Sequence, residues 1–259
     1  MKIKDVVAEL DATFRPELQE DYDNAGFLLG NGDAEYRGAL VALDLTPTVI
    51  NEAIGQGLNL VVTHHPFIFR GVKRLTDSSE TGRMVMQLIK NGISVYAAHT
   101  NLDNLPWGVS GVLAEKLELR NCAVLSPLGG ETGAGIVGEL SQPREALAVL
   151  LDIKNILKIP VIRTTPHDIH TLVRRIAVCG GSGAPFIGDA IAAGADLYLT
   201  ADLKYHDFQR GEERIILADG GHYETEQFAK EIISRSISEK FCNFACRISE
   251  RQLSIVHYI

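Results

Sequence analysis

The sequence is poor in cysteine and has no long apolar run. Only four of its 259 residues are cysteines, at positions 122, 179, 242 and 246, and no two of them form a Cys-x-x-Cys pair. This pattern is typical of reduced thiols in a cytosolic protein and argues against a disulfide framework. No run of about 18 apolar residues occurs, and the opening stretch MKIKDVVAELDATF contains acids, which argues against a membrane span and a signal peptide. We therefore expect a cytoplasmic protein with no membrane partner.

An excess of positive charge is also missing. The chain has 25 Lys and Arg residues against 33 Asp and Glu residues, for a net charge of −8. Broad binding of nucleic acid needs a concentrated excess of Lys and Arg, so we expect no nucleic-acid partner. Apolar residues make up 46% of the chain and charged residues 22%, which is typical of an ordinary folded protein.

Short runs rich in Val, Ile and Leu alternate with helical patterns through most of the chain. This alternation is typical of strand–helix–strand units and predicts an α/β protein with a largely parallel or mixed sheet. The predicted strands are 38–44, 58–63, 93–98, 134–140, 173–179, 196–200 and 214–218. The predicted helices are 3–13, 47–56, 80–91, 108–117, 143–151, 185–193, 203–210 and 223–240.

A glycine-rich stretch, SPLGGETGAG at 126–135, is the strongest interruption of this alternation. Stretches of this kind often separate domains, so it predicts a boundary near residue 125. We expect one α/β domain made of residues 1–125 and 185–259, which carries the metal ligands discussed below. A smaller α/β domain, 126–184, would be interposed between its two parts.

Two predicted strands end directly before side chains that bind metals. His64 and His65 follow the strand 58–63, and His99 and Asp103 follow the strand 93–98. The carboxyl ends of parallel strands meet at one edge of a sheet, where functional residues of α/β proteins gather. Two adjacent histidines bind one ion if the chain turns there, or two ions from opposite sides. His99 would be a further ligand or would support Asp103, and surface histidines are the structural alternative.

A third strand end supplies a helix that carries His222 and Glu226. These residues are four apart, so they share one helical face and can reach a common metal. An acid in the first turn that interacts with the helix dipole is the alternative interpretation. Without His99, the three segments together offer three imidazoles and two carboxylates, enough for two divalent ions. Nitrogen and oxygen ligands without thiolate suit zinc, iron(II) or manganese.

Two further strand ends carry weaker signals. The turn AVCGGSGAPF at 177–186 exposes backbone amides that could receive a phosphate, although it lacks the lysine of a P-loop and a tight packing turn fits it better. The stretch TADLKYHD at 200–207 brings Lys204 and His206 to the same edge, where either could orient substrate or transfer a proton. Asp202 in this stretch fits a helix N-cap.

Several of these segments match one known family. DNAGFLLG at 23–30, THHPFIF at 63–69, HTNLD at 99–103, TADLKYHD at 200–207 and DGGHYETE at 219–226 resemble the NIF-three-like dinuclear-metal family, whose members are often labelled GTP cyclohydrolase type 2 homologues. The resemblance implies two interlinked α/β domains with mixed sheets and a toroidal homohexamer. It places the metal ligands on His64, His65, Asp103, His222 and Glu226. Longer relatives carry an additional mid-chain domain, and this chain resembles the short form.

The resemblance and the ligand set lead to two hypotheses. The first is a hydrolase in which two metals activate a water molecule, as in the opening of a purine nucleotide ring or the hydrolysis of a nucleotide phosphoester. His99 and His206 would transfer protons. The second is a non-catalytic hexameric scaffold or regulatory protein that binds the same ions.

Overall fold

The computed structural model describes residues 1–252 and 254–257. The strands are β1 Gly26–Leu29, β2 Ala39–Ala42, β3 Leu60–Thr63, β4 Ser94–Ala97, β5 Arg120–Gly129, β6 Thr132–Glu145, β7 Arg163–Thr164, β8 Leu172–Val178, β9 Leu197–Thr200, β10 Ile216–Asp219 and β11 Cys246–Ile248. The α-helices are α1 Ile3–Phe14, α2 Pro47–Gly55, α3 Glu80–Asn91, α4 Thr100–Asp103, α5 Val109–Lys116, α6 Ala146–Leu157, α7 Ile187–Ala192, α8 Tyr205–Gly211, α9 His222–Glu226 and α10 Ala229–Lys240. Among the described residues, no helix combines the length and the hydropathy needed to cross a membrane.

The chain forms two compact units whose limits differ from the predicted ones. The first unit contains Met1–Leu102 and the described residues from Ala229 to Gln252, and the second contains Asp103–Phe228 and 254–257. The sequence placed a boundary near residue 125 because of the glycine-rich stretch 126–135. In the structure that stretch is the turn of a hairpin, since Gly129 at the end of β5 pairs with Thr132 at the start of β6. Glycine marks a tight turn within a sheet here.

The first unit is built on a five-stranded sheet in the order β1, β4, β3, β2, β11. Strands β11, β2, β3 and β4 run parallel, and β1 runs antiparallel to β4. Every residue of β2, β3 and β4 is buried, as expected for parallel strands covered on both faces. Helices α2 and α3 pack on one face through Val49, Ile50 and Leu88. The register is therefore strongly specified, because a shift by one residue would turn each side chain to the opposite face.

The second unit is built on a six-stranded sheet in the order β5, β6, β8, β9, β10, β7. Strands β8, β9 and β10 are parallel, whereas β5, β6 and β7 join as antiparallel neighbours. Helix α6 packs on one face through Val149, Ile153 and Leu157. Helix α7 covers the other face, where Tyr198 is buried. Mixed sheets with helices on their faces confirm the predicted α/β class.

Local sequence signals account for where several helices begin and end. Thr46 caps α2 by accepting a hydrogen bond from the backbone N–H of Val49, with Pro47 at the first helical position. Gly92 ends α3 in the left-handed conformation. The predicted helix 223–240 is in fact two helices, α9 and α10, which are separated by Gln227 and Phe228. Phe228 is buried in the core of the second unit.

Candidate functional site

Three neighbouring parallel strands of the first unit end at the same level. Ala42 of β2 is aligned with Thr63 of β3, which is aligned with Ala97 of β4. The residues that follow these strands therefore emerge at one edge of the sheet. The antiparallel β1 begins at that edge, because Gly26 is aligned with Ala97. The side chains that come together there are those of Asp23, Asp44, His64, His65 and His99.

The three imidazoles at this edge form a cluster. The ring centroid of His64 lies 5.0 Å from that of His65 and 5.3 Å from that of His99. The rings of His65 and His99 are 5.4 Å apart and nearly perpendicular. His64 is fully buried, and His65 and His99 are mostly buried. Edge-to-face packing of this kind fixes the direction in which each ring points.

The Nδ1 atom of each ring in this cluster lies against an oxygen acceptor, at 2.7 Å in all three cases. A backbone carbonyl or a carboxylate accepts only, so the ring proton resides on Nδ1 and the lone pair on Nε2. Partners of this type fix the tautomer of metal-binding histidines and raise their basicity. The three pairs are His64 with the carbonyl of Ala98, His65 with Asp44, and His99 with Asp23.

Asp23 is the most strongly held of these partners. Its side chain is fully buried and also accepts hydrogen bonds from the backbone N–H and the hydroxyl of Thr100. Burial alone would raise the pKa of this carboxyl, but the hydrogen bonds from His99 and Thr100 lower it to about 2. Asp23 is therefore ionised at neutral pH and orients His99.

In the second unit, another set of side chains follows parallel strands. Gly181 follows β8, Asp202 follows β9 and His222 follows β10. Val178 is level with Leu199, and Thr200 is level with Asp219, so these positions also share one edge. His222 opens helix α9, which carries Glu226 one turn later.

His222 is held between two carboxylates. Its Nδ1 lies 2.7 Å from Oδ2 of Asp202, and its Nε2 lies 2.9 Å from Oε2 of Glu226. The hydrogen bond to Glu226, opposed in part by burial, raises the pKa of His222 to about 9. Asp202 has a φ of +57°, a strained conformation that aspartate tolerates better than most residues. Ser182 donates a hydrogen bond to the same carboxylate.

Gly181 brings the backbone into close contact with Glu226. A Cβ atom at this position would lie 1.9 Å from Oε1 of Glu226, and φ is +64°. Only glycine allows this approach. The amides of the turn are already satisfied by hydroxyls: Gly180 donates to Ser110, Gly181 to Thr225 and Gly183 to Thr200. The anion-binding interpretation of 177–186 is therefore wrong.

The negative charges of Asp103 and Glu226 both raise the pKa of one buried thiol in the second unit, that of Cys179. Burial, followed by the negative charge of Asp103, raises the pKa of Cys179 to about 12, with a smaller contribution from Glu226. Cys179 therefore remains a neutral thiol. This agrees with a site that uses nitrogen and oxygen ligands rather than thiolate.

The remaining predicted residues lie apart from these clusters. His206 is exposed on α8, and its Nδ1 pairs with Gln209 one turn along. Within the described residues, no hydrogen bond or ring contact joins it to another candidate residue. Lys204 is exposed at the start of the same helix.

Sequence reasoning missed the acids that orient the imidazoles. Asp23, Asp44 and Asp202 each pair with a histidine that is distant in sequence by 76, 21 and 20 residues respectively. Asp23 lies in one of the matched motifs and Asp202 was interpreted as a cap. The sequence places all three within three residues of a strand terminus, but their pairing with histidines depends on which strands are neighbours.

Comparison with known proteins gives consistent matches over nearly the whole chain. The family model described as Duf34/NIF3 (NGG1p interacting factor 3) matches residues 1–253. A Clostridium perfringens protein named GTP cyclohydrolase 1 type 2 homolog is 34% identical over 243 residues, 93% of this chain and 92% of that protein. A Nostoc protein of the same name is 37% identical over 231 residues, 88% of each. The solved structure of a Bacillus cereus protein related to NIF3 has a TM-score of 0.92 at 22% identity, covering 100% of this chain and 99% of that chain. This last match shows the fold.

Proposed function

The chain belongs to the Duf34/NIF3 family, and we propose that it is a hydrolase that depends on two divalent metal ions. The ligands are His64, His65, Asp103, His222 and Glu226. The metal is zinc, iron or manganese, since the donors are imidazole nitrogens and carboxylate oxygens.

The donor groups support this assignment. His64 and His65 follow β3 at one sheet edge of the first unit, and His222 and Glu226 follow β10 at one sheet edge of the second. The hydrogen bonds at Nδ1 of His64 and His65 leave Nε2 as the coordinating nitrogen of each ring. Gly181 keeps the space beside the Glu226 carboxylate clear of side-chain atoms. Two features therefore fit a preorganised metal site: the imidazole tautomers are fixed, and the Glu226 carboxylate lies close to the backbone of Gly181.

The metals, when bound, would activate water and polarise the substrate. His99 is suited to move a proton, because Asp23 orients its ring. His206 is proposed for a second transfer, and its exposure allows it to exchange protons with solvent. Asp202 and Asp44 orient His222 and His65.

A purine nucleotide is the proposed substrate. Relatives that are 34% and 37% identical carry the name GTP cyclohydrolase 1 type 2 homolog. In that reaction one water adds at C8 of guanine and opens the imidazole ring to a formamide, and a second water hydrolyses the formamide so that formate leaves. Hydrolysis of a nucleotide phosphoester is the competing reaction, and both use water as the co-substrate.

Metal content and formate release test the proposal together. Protein purified without chelator or affinity metal would be analysed for zinc, iron and manganese, then incubated with GTP while formate and phosphate are measured. We expect about two ions per chain, with loss of metal and of activity in His64→Ala and Glu226→Gln. His170→Ala is the control, because His170 is an exposed histidine paired with Glu145. Equal metal content in all four proteins would refute the metal site.

The oligomeric state of the protein distinguishes the hydrolase from the non-catalytic scaffold. We propose a toroidal homohexamer, to be measured by light scattering coupled to size-exclusion chromatography. If the Asp103→Asn variant keeps the hexamer but has no turnover, the result supports the hydrolase. Loss of assembly in Asp103→Asn, with no turnover in the parent protein, supports a scaffold.

A further inference from the structure

Gln252 is a buried amide in the segment that follows strand β11. This strand runs parallel to β2, and the backbone N–H of Ser249 continues the pairing by donating to the carbonyl of Val41 at 2.8 Å. The next residues of the segment reach the carboxyl end of β2, where Leu43 and Asp44 lie. Gln252 has only 6% of its surface exposed there. The last strand of the first unit therefore brings a polar side chain to the edge that carries the histidine cluster.

The side-chain amide of Gln252 is held at both ends. Its Oε1 accepts a hydrogen bond from the backbone N–H of Leu43 at 2.5 Å, and its Nε2 donates to Oδ2 of Asp44 at 2.8 Å. The backbone donor determines which end of the amide is the oxygen, so the amino group must face Asp44. A buried amide is costly unless its polar atoms are satisfied, and these two bonds meet that requirement. Gln252 is thus a fixed donor to Asp44.

Asp44 connects this amide to a proposed metal ligand. Its Oδ1 atom lies 2.7 Å from Nδ1 of His65, while its Oδ2 atom accepts from Gln252. The Asp44 side chain is 48% exposed, so water can compete for its oxygens. A half-exposed carboxylate would otherwise be free to turn away from the imidazole. With Oδ2 held by a buried donor, Oδ1 stays directed at His65.

We propose that Gln252 is a positioning residue for His65, acting through Asp44 on the tautomer and the direction of the imidazole ring. Its effect on metal affinity rests on the proposed function, whereas its effect on the ring needs no metal. Glutamine suits this position because one side chain both accepts from a backbone N–H and donates to a carboxylate. Glutamate would keep the acceptor but lack the donor, and it would place a second negative charge beside Asp44.

Gln252→Met and Asn59→Leu are matched variants for the test. Each replaces a buried amide of the first unit by an apolar side chain of similar shape. Asn59 is 3% exposed, and its side chain accepts from the backbone N–H of Arg37 and donates to the carbonyl of Glu35. It directly precedes β3, whereas His65 follows that strand. We expect similar losses of stability in the two variants, but only Gln252→Met should affect His65.

The Nδ1–H group of His65 reports the state of the ring directly. Its NMR signal and its exchange with water would be measured on the whole protein, with and without added zinc. We expect Gln252→Met to raise the exchange rate roughly tenfold, the equivalent of one hydrogen bond, and Asn59→Leu to leave it unchanged. Gln252→Glu, which keeps the acceptor for Leu43, should behave like Gln252→Met. An unchanged exchange rate in both Gln252 variants would overturn the inference.

Zinc affinity, measured by competition with a chelator, tests whether Gln252 acts through Asp44. Gln252→Met should weaken zinc binding roughly 3- to 10-fold, less than the loss of Asp44 itself, because it lies one hydrogen bond further from the ion. Adding Gln252→Met to Asp44→Ala should weaken binding no further, since the connection to His65 is already broken. Effects that multiply in the double variant would show that Gln252 acts independently of Asp44, contrary to the proposal.

The positioning role and the metal site can fail separately. A parent protein that binds no zinc, but whose His65 signal depends on Gln252, would refute the metal site and support the positioning role. Zinc binding that is lost in His64→Ala, with a His65 signal unaffected by Gln252→Met, would support the metal site and refute the positioning role.

Discussion

Replacing Gly181 by alanine should disrupt both the fold and the metal ligand Glu226. The new Cβ would lie 1.9 Å from Oε1 and 2.8 Å from Cδ of Glu226. The Glu226 side chain is only 5% exposed, so it cannot swing into solvent. It would have to move away from His222, with loss of a buried charge-assisted hydrogen bond.

The magnitude follows from two contributions. Alanine in the left-handed conformation costs roughly 1–2 kcal/mol. Loss of the hydrogen bond between His222 and Glu226 costs roughly a further 1.5–3 kcal/mol. We expect Gly181→Ala to lower the free energy of unfolding by about 2.5–5 kcal/mol, the sum of these two effects.

Gly194→Ala is the matched control. Gly194 has a φ of +69°, close to the +64° of Gly181, but its Cβ would meet no atom within 4 Å. It should therefore show only the backbone cost and keep the metal. Urea unfolding in the presence of chelator, together with elemental analysis after metal loading, measures both effects. Equal destabilisation and equal metal content in the two variants would refute the argument that Gly181 is required by Glu226.

Three further predictions concern the hydrogen bonds around the site and one helix cap. Asp23→Asn should lower the free energy of unfolding by about 2 kcal/mol near neutral pH. The reason is that His99 and its neighbours lower the pKa of Asp23 from 3.8 to about 2, so the parent is more stable than the variant above about pH 4 and loses this advantage as the pH falls towards 2. Acid titration of both proteins would check this pH dependence. Asp44→Ala should weaken metal binding roughly 10- to 100-fold by releasing His65, and competition with a chelator would detect it; an unchanged affinity would contradict that role. Thr46→Ala should cost about 1 kcal/mol in urea unfolding without changing metal content, and a loss of metal would contradict a purely local cap.

The sequence was sufficient to predict the strands that carry the candidate ligands. The hydrophobic runs at 58–63 and 214–218 begin and end within two residues of the limits of β3 and β10. The agreement is close because a strand buried on both faces leaves a continuous apolar signal. The pairing of His65 with Asp44 and of His222 with Asp202 was not predictable in the same way. It depends on which strands are neighbours, and strand order is a long-range property.

The sequence and the structure divide the chain at different places for a related reason. Glycine at 129 and 130 signals a change of direction, but it does not tell a hairpin turn from a linker. The long pairing of β5 with β6 identifies a hairpin turn, and this pairing is visible only once both strands are in register. Strand β5 itself has mostly exposed residues, so it lacks the apolar run that would have identified it.

That hairpin has a consequence for how the gene can change. Its turn lies between two paired residues, Gly129 and Thr132, whose chain ends are already adjacent. Extra sequence added there would begin and end at almost the same point, so closing the longer loop would cost little entropy. The strands β8, β9 and β10 that position Asp202 and His222 would keep their register. Reporter domains or inherited insertions can enter the protein at this turn while the chemistry stays where it is.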